Sequence, residues 1–405
     1  MSVNLSIPDA ARILQIDGVK VFVGQAGIKK TNHDDLTLVV LNETNSIAAV
    51  MTQNRFCAAP VQITKQHLAA NQGIRALVIN TGNANAGTGQ QGRLDALFIC
   101  EKVAQLIGCG AEQVLPFSTG VILEPLPADK IATALPGMKM ASWLQAAKAI
   151  MTTDTIPKLA SRSVCIDDQK IHFTGIAKGA GMIHPNMATM LGFIFTDADI
   201  AQPILQQMVE EIVQISFNAI TVDGDTSTND SFVVVATGKT LLRQIDDING
   251  SHYAAIKTVL ADLALELAQA IVRDGEGATK FITIAVKNAK TVDEARRVGY
   301  AVADSPLVKT AFYASDPNLG RILCAIGYAG IPDLDVDAIL VYLGDVLVAQ
   351  NGGRASGYCE EAGQQVMSQE EITVIIDLNR GQAETKIYTC DLSKEYVSIN
   401  ADYRS

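Results

Sequence analysis

Residues 178–191, read as K-G-A-G-M-I-H-P-N-M-A-T-M-L, constrain the fold of this chain more than any composition figure does. Two glycines and a proline force a sharp turn. The run that follows, residues 189–196 (T-M-L-G-F-I-F-T), is too apolar to lie anywhere but inside. A turning, glycine-rich segment therefore delivers Thr189 to the mouth of a buried strand, where a polar side chain is kept for its hydrogen bonding or for its chemistry.

A threonine hydroxyl is a weak nucleophile and needs a base within hydrogen-bond reach. Cutting the chain at Ala188–Thr189 supplies one. The new α-amino group has a reference pKa of about 7.7–8.0, suited to general-base work near neutrality. The same hydroxyl can start the cut, by attacking the preceding carbonyl in an N-to-O acyl shift that gives an ester, which water then hydrolyses. The small residue Ala188 and the upstream glycines let that geometry form. The competing reading is structural, since a threonine at a strand start commonly satisfies local backbone groups. Spacing alone favours the structural reading; the whole string reverses it.

That string resembles the processing site of the ornithine acetyltransferase (glutamate N-acetyltransferase) family. Other blocks are similar to family segments: residues 80–89 (N-T-G-N-A-N-A-G-T-G), 118–122 (S-T-G-V-I) with 124–127 (E-P-L-P), 151–158 (M-T-T-D-T-I-P-K), 223–231 (D-G-D-T-S-T-N-D-S), 272–280 (V-R-D-G-E-G-A-T-K) and 396–405 (Y-V-S-I-N-A-D-Y-R-S). The resemblance covers nearly the whole chain. One departure is Leu319 in S-D-P-N-L-G-R, where most members carry a tryptophan; a leucine still fills apolar volume.

The resemblance implies an α/β (α+β) fold, an αββα sandwich like that of N-terminal-nucleophile enzymes. It would be assembled from two fragments, residues 1–188 and 189–405. It implies acetyl transfer from N-acetylornithine to glutamate in two halves, through an acetyl ester on Thr189. Thr119 and Gly120 are implied as the oxyanion hole. Thr152, Lys178, Thr189, Glu276, Asn400 and Ser405 are implied as substrate-binding residues. No metal or bound cofactor is expected, and acetyl-CoA is left open as a second donor. The expected assembly is an α2β2 heterotetramer.

Composition agrees without adding specificity. A net charge of −11 argues against nucleic acid and anionic membranes as partners. The first residues, M-S-V-N-L-S-I-P, lack a basic region followed by an apolar one. Seven cysteines are scattered without C-x-x-C spacing, as in reduced thiols of a cytoplasmic protein. The dispersed histidines make no zinc constellation.

Strands are predicted at residues 36–41, 76–79, 232–236, 281–286 and 373–378, and helices at 93–107, 203–215 and 253–272. Residues 87–92, 125–127 and 227–230 read as loops. Two partial motifs fail: Gly179-Ala180-Gly181 lacks the third glycine of a dinucleotide fingerprint, where His184 stands, and Gly238-Lys239-Thr240 lacks the first glycine of a phosphate loop, where Val233 stands. Two other functions remain on the sequence: an aminopeptidase or amidohydrolase on a similar scaffold, and an amino-acid-binding protein that is never cut.

Overall fold

The computed structural model describes residues 2–29, 32–184 and 190–402. They form two compact units: Ile7–Asn218 with Asp225–Ile271, and Met1–Ser6 with Ala219–Gly224 and Val272–Ser405.

The larger unit holds ten strands: β1 (Val19–Gly24), β2 (Leu36–Leu41), β3 (Ser46–Met51), β4 (Ala76–Asn83), β5 (Val114–Val121), β6 (Lys139–Met140), β7 (Lys158–Ile166), β8 (Gln169–Lys178), β9 (Leu191–Thr196) and β10 (Ser231–Ala236). They make two five-stranded sheets, ordered β5-β4-β2-β1-β6 and β3-β10-β9-β8-β7. Its helices are α1 (Ala59–Ala70), α2 (Gly89–Ile107), α3 (Ala128–Ala134), α4 (Trp143–Ala149), α5 (Gln202–Ile215) and α6 (Ser251–Arg273), the last running past the unit boundary.

Alternation along the strands explains the layering. Leu36 and Leu38 of β2, Ala76 and Val78 of β4, and Val114 of β5 pack with α2 residues Ala96, Ile99, Cys100, Val103 and Ala104, which recur at helical spacing. The intervening residues Val39, Leu41, Leu77, Ile79, Leu115 and Phe117 share a second core with Leu191, Phe193 and Phe195 of β9 and Val233 and Val235 of β10. The sheets thus meet face to face, with Phe117 edge-on to Phe193 at a centroid distance of 5.1 Å. On the outer face of the second sheet, α6 approaches so closely that a Cβ on Gly175 would lie 2.6 Å from Leu267 Cδ1. The expected αββα sandwich is the architecture of this unit. β8 and β9, which lie on either side of residues 188–189, pair antiparallel from Phe173↔Thr196 to Lys178↔Leu191.

The smaller unit is one six-stranded sheet: β11 (Phe281–Ala289), β12 (Leu340–Leu343), β13 (Val346–Gln350), β14 (Gly353–Arg354), β15 (Glu371–Asp377) and β16 (Ala383–Cys390), in the order β14-β13-β12-β15-β11-β16. It is accompanied by α7 (Val292–Ala303), α8 (Pro306–Tyr313), α9 (Leu319–Gly327), α10 (Glu360–Met367) and α11 (Lys394–Ala401). Val298, Val302, Phe312 and Ile322 pack on Ile282, Ile284 and Val374 of the sheet. Leu319, the departure from the family pattern, packs partly buried against this core, as apolar volume alone requires.

One expectation is corrected. Residues 89–92, read as loop, are the first turn of α2; Gly89 tolerates its position because its φ is +61°, and Gly92 leaves the room that Thr88 Oγ1 fills.

Candidate active site

Thr119 and Gly120 sit near the end of β5, which runs parallel to β4 in the register Thr81↔Thr119 and Gly82↔Gly120. Gly120 has φ +134°, and a Cβ there would fall 2.2 Å from the Gly82 carbonyl carbon. Only glycine permits both the conformation and the contact. Lys178 ends β8 in the other sheet. It is 3% exposed, and its Nζ donates to Thr119 Oγ1 at 3.1 Å.

The direction of that bond matters. An ammonium has donors and no acceptor, so Thr119 accepts, and its own O–H is left to donate elsewhere. A buried hydroxyl held in this way, beside a positive charge, is equipped to hold an oxyanion.

Two buried carboxyl groups act on Lys178. Asp154 Oδ2 accepts the Thr152 N–H at 3.0 Å, fixing that loop, while Oδ1 accepts the Gly179 N–H at 2.7 Å and a hydrogen bond from Lys158 Nζ. Burial by itself would raise the Asp154 carboxyl, but Lys158, Lys178 and the Gly179 N–H outweigh it and hold the group below its ordinary value. Asp230 is the opposite case. Burial pushes its carboxyl well above the ordinary range, against the opposing effects of the Met190 N–H and the Lys178 charge. One acid is kept ionised and the other is driven towards neutrality beside the same lysine.

In the smaller unit, Glu276 and Asn400 come together: Asn400 Nδ2 donates to Glu276 Oε2 at 2.7 Å and to the Tyr396 carbonyl at 3.0 Å. α11 can approach the turn at residues 275–277 because Gly277, with φ +70°, has no Cβ; one would lie 2.5 Å from Ser393 Oγ. Ala188, Thr189 and Ser405 lie outside the described residues.

Sequence reasoning missed Asp154, Asn229 and Asp230. All three stand inside blocks 151–158 and 223–231, but a block does not say which of its members the fold brings to Lys178, as with Asp154 and Asp230, or to the Ser118 carbonyl, as with Asn229. Among the described residues no group of three or more His, Cys, Asp or Glu could hold a metal ion, and no helix is long and apolar enough to cross a membrane.

Comparison with known proteins assigns the family. A profile of the ArgJ family matches residues 20–405. The arginine biosynthesis bifunctional protein ArgJ of Neisseria meningitidis serogroup A is 64% identical over 100% of both chains. Among solved structures, the arginine biosynthesis bifunctional protein argJ of Bacillus halodurans is similar at 38% identity and a TM-score of 0.50, covering 53% of this chain and 99% of that one. An ornithine acetyltransferase from Mycobacterium tuberculosis, complexed with ornithine, is 32% identical with a TM-score of 0.37, over 44% of this chain and 97% of that one. The class is therefore one of mixed α/β architecture, shared with the Bacillus halodurans protein. Within that class, the chain belongs to the ArgJ family.

Proposed function

We propose that this chain catalyses glutamate N-acetylation in arginine biosynthesis, taking acetyl from N2-acetyl-L-ornithine, after cutting itself between Ala188 and Thr189. The supporting observation is the Lys178–Thr119 hydrogen bond, which leaves a buried hydroxyl proton free for a developing oxyanion. The Thr189 hydroxyl attacks the acetyl carbonyl while the α-amine of Thr189 takes its proton. The C–N bond then breaks, and ornithine leaves with that proton on its nitrogen. The amine of glutamate next attacks the threonine ester, the C–O bond breaks, and the hydroxyl is restored as N-acetylglutamate departs. Each half is one acyl substitution, so the kinetics are ping-pong.

Residues 1–188 and 189–405 then remain together as an α2β2 heterotetramer in the cytoplasm. The strands β8 and β9, from opposite sides of the cut, are hydrogen-bonded partners, and separating them would expose the core they share. Glu276 receives the ornithine side-chain amine, Lys178 a substrate carboxylate, and Thr152, Asn400 and Ser405 supply neutral hydrogen bonds. No bound cofactor is needed, and acetyl-CoA serves as a second donor in the bifunctional form of the activity. Denatured intact mass tests the cut: two species dividing at residues 188–189 support it, and a single full-length species removes the nucleophile. Thr189→Ala should abolish cleavage and transfer together; transfer at the wild-type rate in that variant refutes the reading. Acetate released without an acceptor would mark a hydrolase instead.

A further inference from the structure

We infer that the adjacent residues Asn229 and Asp230 form a positioning clamp that sets the nucleophile against the oxyanion hole. The inference rests on Thr189 as nucleophile and adds two residues to which that mechanism gives no role.

Asn229, buried at the entrance to β10, donates from Nδ2 to the carbonyls of Ser118 at 2.9 Å and Ala84 at 2.6 Å. The Ser118 carbonyl and the Thr119 N–H belong to one planar peptide unit, so the first bond orients the peptide that opens the oxyanion segment. The second ties the end of β4 to the same side chain. Asn229 is itself held: Thr228 Oγ1 donates to its Oδ1 at 2.6 Å, and its N–H donates to Ser227 Oγ at 3.1 Å.

Asp230 is fully buried, and its Oδ1 accepts the Met190 N–H at 2.9 Å. That N–H shares its peptide unit with the carbonyl of Thr189, so the carboxyl grips the chain one peptide from the nucleophile. The main chain adds a third tie, as the Ser231 N–H donates to the Met190 carbonyl at 3.1 Å. Consecutive Cα atoms are about 3.8 Å apart. One residue of spacing therefore separates the anchor of the hole from the anchor of the nucleophile. Both anchors come from β10 and its entrance rather than from the segments that carry the reacting groups.

Misplacing reacting groups by about 1 Å can cost on the order of 100-fold in rate. Asn229→Ala should lower kcat by about that factor while KM for N-acetylornithine changes less than about threefold, because a displaced hole weakens the transition state and not ground-state binding. Asp230→Ala should do the same; Asp230→Asn, which keeps both the volume and an acceptor for the Met190 N–H, should recover at least about tenfold of the loss, whereas Asp230→Leu, which fills a similar volume without an acceptor, should not. If Asn229→Ala does not fold, Asn229→Asp keeps the volume and replaces the amide donor with an acceptor that repels both carbonyls. A folded Asn229 variant with kcat within about threefold of wild type overturns the clamp, as does loss carried wholly by KM. Thr189→Ala separates the two failures: a dead Thr189→Ala beside a fully active Asn229 variant sinks the clamp alone, whereas an active Thr189→Ala sinks the nucleophile.

Discussion

Gly120 and Gly82 face each other on the parallel strands β4 and β5, and a Cβ on Gly120 would lie 2.2 Å from the Gly82 carbonyl carbon and 2.5 Å from the Asn83 nitrogen. Backbone meets backbone there, so no side chain can yield to make room. Gly120→Ala should displace Thr119 as well as the Gly120 N–H. Losing one oxyanion donor costs roughly 2.7–4 kcal/mol of barrier, so kcat should fall by about 100-fold to 1,000-fold in steady-state assays. Activity near wild type would show that this turn is not the hole.

The Asp154–Lys158 ion pair has both side chains fully buried. Lys158→Met would leave the carboxylate with fewer compensating charges, and breaking a buried pair on one side typically costs about 3–5 kcal/mol. Because the folded Asp154 carboxyl lies below its ordinary value, its contribution is present above the unfolded pKa and is lost as pH falls. Chemical denaturation of wild type and Lys158→Met should therefore differ strongly at pH 7 and progressively less below about pH 4. An equal gap at both pH values would contradict this assignment.

Glu371 in β15 accepts from Arg273 at 2.7 and 3.0 Å and from Asn4 at 3.0 Å. Hydrogen bonding from Arg273, opposed by partial burial and aided by Asn4 and the arginine charge, brings its pKa from 4.5 to about 2. The sign is that of a depressed acid: stability is present above 4.5 and fades as pH falls towards 2. The carboxylate is 46% exposed, so solvent screening keeps the pair below about 1 kcal/mol. Glu371→Gln should lower the melting temperature slightly at pH 7 and converge with wild type at the acid end.

Glu276→Gln retains an oxygen to accept the Asn400 amide but removes the charge. A hydrogen bond to a charged group contributes about 1.5–3 kcal/mol. KM for N-acetylornithine should therefore rise by at least about tenfold, with little change for glutamate as acceptor. Equal effects on both substrates would remove Glu276 from the ornithine side-chain site.

The boundaries of the elements were largely written in local pattern. β2 coincides with the largely apolar run 36–41, and β9 lies within 189–196, because strands buried on both faces are nearly continuous apolar runs. α2 was placed by its 3.6-residue spacing, but its start was not: Gly89 and Gly92 look like loop residues until Thr88 and Asn85 are seen packed against the helix entrance.

For the site, the sequence by itself determined the chemical inventory: a threonine hydroxyl at 119, a glycine at 120 and a lysine at 178. Covalent order carries that much. Which groups meet was decided by the tertiary structure, because Lys178 and Thr119 stand on different sheets and touch only when the sandwich closes. The same packing withdraws Asp154 and Asp230 from water and surrounds them differently, so that the carboxyl pKa values of two identical side chains move in opposite directions. Burial and neighbouring charge set that difference, and neither is a property of residue order.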